Sequence, residues 1–343
     1  KERIDYMWYT EFGNSGDVVL SSRVRLARNI KGIPFGEGMK DADREKVIDL
    51  CRGALPDLKY IDLFAMSDAE KQALTEQHII SPDMAAKHGK CGILINGGSD
   101  ISVMLCEEDH VRIQAMAPGF SLDECLTRAN EVDDRLEGSV EYGFDERFGY
   151  LTCCPTNVGT GLRASVMLHL PALTESGRID GTIRSLSKLG MAVRGIYGEG
   201  SRASGNIYQI SNQVTLGVSE QETVDKLKQL TEEVIQQERR ASQELYEKNK
   251  LRLEDRVMRS FGTLTNARLL TSNETMNLFS DVRWGVNLGI IKNVNLVRLS
   301  EILYDTLPGS MIQKYNLTDP TERDIKRAEL FRNGLAGGAD TEK

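Results

Sequence analysis

The sequence contains no long apolar run, no paired cysteine motif and no apolar N-terminal segment, and each absence excludes a class of protein. Without about 18 consecutive apolar residues, the chain is not expected to span a membrane. None of the six cysteines has CxxC spacing, which argues against a zinc ribbon. The start, KERIDYMWYT, lacks the apolar core of a signal peptide. We therefore expect a cytoplasmic protein with reduced thiols.

Basic residues are outnumbered by acidic ones. The 43 Lys and Arg stand against 51 Asp and Glu, which gives a formal charge of −8. This balance argues against nucleic-acid binding through a broad basic surface but permits a local basic site. The 343 residues suffice for one large domain and a smaller one.

The first two thirds of the chain alternate between short strand-like and helical patterns. Short turns between the strand-like runs predict antiparallel neighbours rather than strands joined by crossover helices. These runs cover residues 17–21, 91–96, 101–107, 110–117, 150–154, 192–198 and 206–213. Helical spacing occurs at 41–52, 67–77 and 121–137, and the last two begin with the capping-box residues Ser67 with Glu70 and Ser121 with Glu124.

Glycine becomes rare after about residue 219, and the pattern becomes helical. Apolar side chains recur at three- and four-residue steps at Val224, Leu227, Leu230, Val234 and Ile235. Packing against the body of the protein explains this stripe most simply, and a partner-binding helix is the alternative. We divide the chain into an α/β catalytic part, residues 1–218, and a helical part, residues 219–343. The tail from residue 333 is expected to be disordered.

Five arginines stand at the edges of predicted strands and turns: Arg23, Arg25, Arg112, Arg163 and Arg194. Residues two apart in an extended segment point the same way, so the first two should share a face. Guanidinium groups are planar donors that suit phosphate oxygens and keep their charge. The five are candidates for a polyanion cradle, whereas each taken alone could be a solvated surface charge.

The segment GTGLRA, residues 159–164, matches the dinucleotide fingerprint GxGxxA. That fingerprint requires a preceding strand, a following helix and an acid about 20 residues later, for which Asp180 is available. Pro155 interrupts the preceding strand, and no βαβ pattern surrounds the segment. A nicotinamide-dependent oxidoreductase is therefore a weaker alternative, and the Walker A pattern is absent from the sequence.

Acidic, cysteine and histidine side chains near these segments have both functional and structural interpretations. Glu107, Glu108 and Asp109 lie at the end of a predicted strand, and Glu199 lies in the glycine loop GEG. Such acids act as bases, position a cationic substrate or hold Mg²⁺, or they simply lie in solvated turns. Cys154 is either a reactive thiol or a buried inert one, and His78 on its own is more simply structural.

Five segments follow one another in a fixed order: SSRVRLARN, EEDHVR, CPTNVGTGLRAS, VRGIYGEGS and IYQISNQVTLG. Together they resemble the ATP:guanidino phosphotransferases, or phosphagen kinases, over about residues 17–220. The segment beginning CPTN is highly specific for that family. The resemblance implies an α+β fold with a large antiparallel sheet flanked by helices, followed by a C-terminal helical domain.

Two departures from the phosphagen kinases make the chain similar to the bacterial protein-arginine kinases. The first segment begins at Ser21, so the N-terminal helical domain of phosphagen kinases is not expected, and a helical part follows the catalytic one instead. The later ERDIKRA segment matches an RDxxRA motif, which implies a phosphoarginine-binding site. Its residues are Arg323, Asp324, Arg327 and Ala328. Without the resemblance, these residues would be read as a solvated helix face.

The resemblance also assigns roles to single positions. It implies that Glu108 orients the guanidinium group and acts as the base, with Glu199 as the second acid and Cys154 as the reactive thiol. Cys106 stands where the family usually has Asn, and we assign no role to that exchange. The implied ATP site consists of Ser21, Ser22, Arg23, Val24, Arg25, His78, Arg112, Arg163, Ala164, Ser165, Val166, Met167, Arg194, Gly195, Ile196, Tyr197, Gly198 and Glu199.

The implied reaction transfers the γ-phosphoryl group of ATP, accompanied by Mg²⁺, to arginine side chains of proteins. This mark turns a cation into an anion, and it would label proteins for the Clp protease machinery or switch off a repressor, with McsA as an activator protein. A small-molecule guanidino kinase and a non-catalytic phosphoarginine-binding adaptor are the alternatives. We expect a homodimer, with no metal site built from side chains, no direct nucleic-acid partner and no membrane.

Overall fold

The structure is a computed structural model that describes residues 7–195 and 203–336, and a large antiparallel sheet is its centre. The strands are β1 (Val19–Arg28), β2 (Lys59–Asp62), β3 (Gly92–Ile95), β4 (Ile101–Leu105), β5 (Val111–Pro118), β6 (Phe144–Asp145), β7 (Gly149–Tyr150), β8 (Leu162–His169), β9 (Met191–Gly195) and β10 (Ile207–Asn212). Eight of them form one sheet in the order β2-β3-β4-β5-β1-β8-β10-β9, in which all neighbours are antiparallel. Strands β6 and β7 form a separate hairpin.

Helices surround the sheet and make up the C-terminal part. They are α1 (Asp41–Ala54), α2 (Asp68–Glu76), α3 (Pro82–Ala85), α4 (Leu122–Glu137), α5 (Pro171–Glu175), α6 (Ile179–Lys188), α7 (Glu220–Asn266), α8 (Ser272–Asn287), α9 (Leu296–Asp305), α10 (Pro308–Tyr315) and α11 (Pro320–Ala336). Short 3-10 turns occur at Trp8–Thr10, Gly36–Gly38 and Ser204–Asn206. No helix within the described ranges is long and apolar enough to cross a bilayer.

The predicted fold class, a large antiparallel sheet flanked by helices, is confirmed. Short turns between consecutive strands explain the antiparallel pairing of β3, β4 and β5. Strands β3, β4 and β5 follow one another along the chain and are neighbours in the sheet, as hairpin connections require. The predicted strand at 17–21 is the beginning of the ten-residue β1, which also contains the arginine-rich segment. Strand β8 was not predicted, because the glycine-containing segment at its start, residues 159–164, was interpreted only as a possible dinucleotide fingerprint.

Three further predictions were wrong in their details. Residues 150–154 do not form one strand, because only Gly149–Tyr150 pairs as β7 and the chain then turns. The capping box at Ser67 and Glu70 is present, but Ser121 does not cap α4 with its side chain. The Ser121 hydroxyl instead donates to the carbonyl oxygen of Pro118. Helix α11 also continues to Ala336, so the first residues of the expected disordered tail are helical.

Helix α7 joins the sheet to the C-terminal helices. Its first half presents the predicted apolar stripe, and all five of those side chains are buried. The helix contacts α4, β8 and β10, so the stripe packs against the body of the protein as expected. Ser219 caps its start through a capping box with Glu222, and the backbone departs from helical geometry at Asn249.

Candidate active site

Five arginines converge on one face of the sheet, and the strand register explains why. They are the predicted Arg23, Arg25, Arg112, Arg163 and Arg194. Across adjacent strands, Arg25 lies opposite Arg163, and Ala27 lies opposite Arg112. Arg194 is opposite Gln209, which is itself opposite Met167 on β8. Since side chains alternate between faces along a strand, these partners all project to the same side as Arg23.

The electrostatics of Arg25 show how closely the cations are gathered. Burial lowers the pKa of Arg25 well below its usual value, and Arg23, Arg112 and Arg163 lower it further. Glu107 is the acid that opposes this trend. Arginine rarely gives up its charge, so such a cluster of guanidinium groups calls for an anion.

Buried donors without partners point to the same requirement. The Nε atoms of Arg25 and Arg163 are buried and have no hydrogen-bond partner within the described residues. Burial also lowers the pKa of Arg163, with Arg194 and Arg112 acting in the same sense and Cys154 in the opposite one. Because unsatisfied buried donors are costly, an anionic ligand with several oxygens would relieve the strain in the cluster.

The remaining members of the predicted ATP site divide between the two faces. Ser21, Ser165 and Met167 lie on the arginine face, and Ser165 accepts a hydrogen bond from Arg23 Nε at 3.4 Å. Four others lie on the opposite face and pack in the core: Ser22, Val24, Ala164 and Val166. They support the strands, and their side chains do not line the arginine face.

His78 lies beside the arginine face in a left-handed backbone conformation, with φ of 61°. Its ring is within 6.0 Å of the Trp8 ring and 6.4 Å of the Tyr304 ring, measured between centroids. Burial, assisted by Arg23, lowers the pKa of His78 to about 3. The imidazole is therefore neutral at neutral pH and adds no further charge to the cluster.

The acidic pair Glu107 and Glu108 lies at the edge of this arginine cluster, where each acid contacts a different nitrogen of the Arg112 guanidinium. Arg112 Nη1 forms an ion pair with Glu107, and its Nη2 is 2.7 Å from Glu108 Oε1. Asn157 donates to the same Oε1 at 3.2 Å. Both bonds to Glu108 within the described ranges end on Oε1, so Oε2 is available to a substrate. The half-exposed Glu108 is the better placed of the two acids, because Glu107 is buried.

Glu107 is held in the interior by several groups, which the sequence interpretation did not anticipate. Ser81 donates a hydrogen bond to its carboxylate, and Lys87 donates to its backbone oxygen at 2.6 Å. Burial raises the pKa of Glu107, whereas Arg112 lowers it. This acid anchors Arg112 and so fixes the position of Glu108.

Cys154 lies on the loop that carries Asn157. Its Sγ is 3.0 Å from the hydroxyl of Thr156, and its backbone oxygen accepts from Asn157 N at 3.0 Å. Asn157 also lines a cavity of about 230 Å³ together with Arg163, Arg194 and Thr215. Cys154, Glu108 and the arginine cluster are thus joined through one residue, Asn157, whose backbone N–H reaches Cys154 and whose side-chain amide reaches Glu108. The sequence interpretation did not name Asn157 as a site residue, although it lies within the CPTN motif.

The two glycines of GTGLRA open a strand and not a helix, which excludes the dinucleotide interpretation. Gly159 has φ of 114°, and a Cβ there would lie 2.1 Å from the Thr215 backbone oxygen. Gly161 has φ of 64°, and its Cβ would lie 2.5 Å from the oxygen of Ala27. The glycines allow backbone-to-backbone packing before β8, whereas the fingerprint requires a helix at this point.

Part of the predicted site lies outside the described residues. Strand β9 ends at Gly195, directly after Arg194. The predicted Ile196, Tyr197, Gly198 and Glu199 follow it, so the second catalytic acid is not placed. Of the predicted catalytic residues, Glu108 and Cys154 are placed, and they lie at the same end of the sheet.

The ERDIKRA residues lie on α11 and are mostly engaged in holding helices together. Arg327 is 1% exposed and donates to the backbone oxygens of Leu270 and Thr306 and to Asp324. Ala328 is fully buried. Arg323 is more accessible and donates to the oxygens of Leu317 and Thr318. An open pocket formed by all four residues is not present in this arrangement.

Cys106 adopts a left-handed backbone conformation, with φ of 64°, and is fully buried. Its thiol lies 3.7 Å from the backbone oxygen of Arg44. Asn tolerates this conformation better than most residues do, which gives a backbone reason for the Asn that the family usually has here.

Comparison with known proteins supports the interpretation of this site. The family described as ATP:guanido phosphotransferase, C-terminal catalytic domain, matches residues 44–241, and the one described as protein-arginine kinase McsB C-terminal domain matches residues 250–343. These matches meet within α7, near Asn249.

Curated relatives match over nearly the whole chain. A protein-arginine kinase of Caldanaerobacter subterraneus is 48% identical over 93% of this chain and 97% of that protein. One of Bacillus subtilis is 47% identical over 96% of this chain and 93% of that protein.

Solved structures extend the comparison to the fold. A lombricine kinase has a TM-score of 0.58 and 26% identity, and the match covers 69% of this chain and 70% of that one. The duplicated taurocyamine kinase of Schistosoma mansoni with bound transition-state-analogue components also has a TM-score of 0.58, with 27% identity. That match covers 66% of this chain but only 35% of the kinase. The chain belongs to the ATP:guanido phosphotransferase family and, within it, to the protein-arginine kinases.

Proposed function

We propose that this chain transfers the γ-phosphoryl group of ATP to arginine side chains of proteins, as the names of its curated relatives state for them. The observation that carries the proposal is the arginine cluster with its unpaired buried donors, which lies beside the accessible carboxylate of Glu108. The arginine cluster attracts a polyanion, and the neighbouring carboxylate attracts a guanidinium cation.

ATP, the phosphoryl donor of this family, satisfies the arginine face. Its phosphate oxygens accept hydrogen bonds from Arg25 and Arg163 and offset the like charges that lie opposite each other. Phosphoryl transfer passes through a loose transition state, so positioning and charge stabilisation supply most of the catalysis. Fixed guanidinium groups provide both without a change in the protein's own covalent structure.

Glu108 orients the substrate guanidinium, which accepts the phosphoryl group, and takes up its proton. Its free Oε2 accepts a hydrogen bond from the substrate guanidinium and aligns one nitrogen with the γ-phosphorus. The P–O bond to ADP breaks as the P–N bond forms, and the proton displaced from that nitrogen passes to the carboxylate. Cys154 lies at the same end of the sheet and borders the acceptor, and we assign Glu199 as the second acid on the strength of the family motif.

We propose that Mg²⁺ enters as part of the substrate, bound to ATP. The described residues contain no group of three or more His, Cys, Asp or Glu side chains able to hold a metal ion. Magnesium commonly keeps its waters and binds mainly through substrate phosphates, which suits a site rich in arginine. When bound, the ion neutralises phosphate charge, and the arginines orient the remaining oxygens.

The test is phosphorylation of an unfolded protein such as casein. After incubation with ATP, mass spectrometry under non-acidic conditions should find phosphate on arginine, and acid should release it. Glu108→Gln should abolish the mark, whereas Glu131→Gln, which changes an exposed acid on α4, should not. Phosphorylation of free arginine in strong preference to protein would favour the small-molecule kinase, and binding without turnover would favour the adaptor.

The phosphoarginine site of α11 is a separate proposal. Arg323 and Asp324 are the accessible members, and Arg327 orders Asp324 through a hydrogen bond of 2.6 Å. We propose that phosphate binds Arg323 while Asp324 receives the guanidinium of the modified residue. Titration with phosphoarginine should show affinity that is lost in Arg323→Ala, with ATP binding retained. Unchanged affinity would contradict the assignment.

The partners and location of the protein are also proposed. All six cysteines are free, which suits the reducing cytoplasm. Two large apolar side chains on one side of α7, Leu251 and Met258, are exposed, and we propose that they belong to a homodimer contact. Light scattering of Leu251→Glu should then report a monomer. Clp proteases, McsA and a repressor are proposed partners on the resemblance alone.

A further inference from the structure

A groove of about 460 Å³ lies behind the CPTN loop, on the side of the sheet where α4 packs. Three segments form its walls: the C-terminal half of α4, the β6–β7 hairpin, and residues 215–220 that lead into α7. None of these segments belongs to the arginine face. The mechanism above makes no use of the groove.

Three large apolar side chains at the rim of the groove are exposed to solvent. Phe144 is 58% exposed, Phe148 45% and Leu216 50%. The same groove is lined by two exposed acids of α4, Asp134 and Glu137, neither of which forms an ion pair within residues 7–195 and 203–336. Aromatic faces next to carboxylates favour cations with apolar stems, such as lysine and arginine side chains.

The wall of the groove already contains one example of this recognition. The buried guanidinium of Arg28 lies 3.6 Å from the Tyr150 ring centroid. It also donates to Asp133 at 2.6 Å and to Glu220 at 3.1 Å. Those two carboxylates are therefore satisfied internally, and Asp134 and Glu137 remain to attract an external cation.

The groove and the cavity beside the arginine cluster share one lining residue, Thr215. Thr215 lines both the groove and the cavity that contains Asn157, Arg163 and Arg194. Its hydroxyl donates to the backbone oxygens of Thr156 and Val158, which fixes the edge between the two spaces. A polypeptide whose arginine reaches Glu108 would cross this edge with its neighbouring residues.

We propose that this groove binds a cationic segment of the polypeptide substrate that flanks the arginine to be phosphorylated. The proposal rests on the proposed function, because it assigns to the same enzyme a preference for basic residues near the acceptor. Charge complementarity selects the occupant: the groove wall presents four carboxylates and two guanidinium groups. Its charges without an ion pair among the described residues are two acids, Asp134 and Glu137, and one base, Arg147, which lies over the Phe148 ring, so a net acidic charge is left to attract a cation. The exposed rings of Phe144 and Phe148 would cover the aliphatic stems of that segment.

The test uses two peptides that each contain a single arginine. In one, lysines flank the arginine on both sides, and in the other glutamines replace them. The wild-type chain should have a kcat/KM roughly fivefold higher for the lysine peptide at low salt, with the difference in KM. The double variant Asp134→Asn/Glu137→Gln should lose this preference, whereas Glu232→Gln/Glu233→Gln, an equal loss of charge on the exposed side of α7, should keep it.

Two further measurements separate the groove from the reaction. N-acetylarginine methylamide has no flanking residues, so its phosphorylation should be equal in all three proteins. Fluorescence anisotropy of the labelled lysine peptide reports groove binding even without turnover, and Phe144→Ser should weaken it severalfold. Equal kcat/KM for both peptides, or a preference that survives in Asp134→Asn/Glu137→Gln, would overturn the groove proposal while phosphoarginine on either peptide upholds the kinase. Failure of the kinase would instead appear as peptide binding without phosphoarginine.

Discussion

Arg25 and Arg163 lie directly opposite each other on β1 and β8, and the Nε atoms of both are buried without a hydrogen-bond partner within the described residues. Like charges in directly opposed positions destabilise a sheet. Burial adds to the cost, since it lowers the pKa of both groups. This pair is therefore a source of instability that an anionic ligand would reduce, and under the proposed function that ligand is ATP.

Replacing Arg25 with methionine should separate these two effects. Arg25→Met removes a buried charge and its repulsion from Arg163, so the melting temperature of the free protein should stay the same or rise. ATP should bind about 10- to 100-fold more weakly, because a charge-assisted hydrogen bond of about 1.5–3 kcal/mol is lost. Calorimetric titration and thermal melts with and without ATP measure both quantities.

The matched control is Arg240→Met on α7, which changes an exposed arginine away from the arginine face. It should leave ATP affinity and the ATP-dependent rise in melting temperature intact. A large loss of stability in Arg25→Met with unchanged ATP binding would show that the arginine is a structural residue of the sheet.

Asn157 should act as a positioning residue for Glu108. Its side-chain amide donates to Glu108 Oε1 at 3.2 Å, so Asn157→Ala should allow the carboxylate to rotate away from the acceptor. We expect kcat to fall roughly tenfold, the equivalent of one hydrogen bond of about 1–1.5 kcal/mol, while the KM for ATP changes little. Steady-state kinetics with a protein substrate distinguish the two parameters.

The exposed Asn293 offers the control, because Asn293→Ala removes an amide remote from the site. A merely structural role for Asn157 would lower the melting temperature and raise the KM for ATP together. Equal kcat in Asn157→Ala and the wild-type chain would remove Asn157 from the mechanism.

One part of the arginine cluster, the shared face of Arg23 and Arg25, could be predicted from local sequence. Residues two apart in a strand share a face, so Arg23 and Arg25 were expected to act together. Their convergence with Arg163 and Arg194 depends on the order β1-β8-β10-β9, which brings together strands distant in the chain. The family resemblance supplied that long-range information, and no local pattern could have done so.

Other features depended on tertiary contacts that the sequence does not reveal. The block from Arg163 to Met167 was assigned to ATP as a whole, although strand alternation places Ala164 and Val166 in the core. Arg327 matched a binding motif, yet its donors reach the backbone of Leu270 and Thr306 from elsewhere in the fold. Motifs identify positions, but burial decides which side chains face a ligand.

The buried ion pair between Arg28 and Asp133 should contribute much more to stability than a surface pair on the same helix. Asp133→Ala leaves the Arg28 guanidinium, which is 1% exposed, with one carboxylate fewer. The free energy of unfolding should fall by about 3–5 kcal/mol. Asp123→Ala breaks the exposed pair with Lys228 and should cost about 1 kcal/mol. Urea unfolding of both variants provides the comparison, and equal losses would show that Arg28 relies on Glu220 and Tyr150 instead.

Glu238 on α7 should make stability depend on pH. Its buried carboxylate accepts from the backbone N–H groups of Ala172 and Leu173 at 2.8 and 2.9 Å, and burial raises its pKa to about 7. The folded state then binds the proton more tightly than the unfolded state, so this group favours folding most below its ordinary pKa near 4.5. That contribution, about 3 kcal/mol at most, is lost as the pH rises from about 4.5 through 7.

The variant Glu238→Gln tests this dependence, because its amide side chain does not titrate. The difference in unfolding free energy between the wild-type chain and this variant, followed through the fluorescence of the two buried tryptophans, Trp8 and Trp284, should shift against the wild type between pH 5 and pH 8. A difference that stays constant, or shifts in favour of the wild type, would mean that the two N–H bonds outweigh burial and keep the carboxylate ionised.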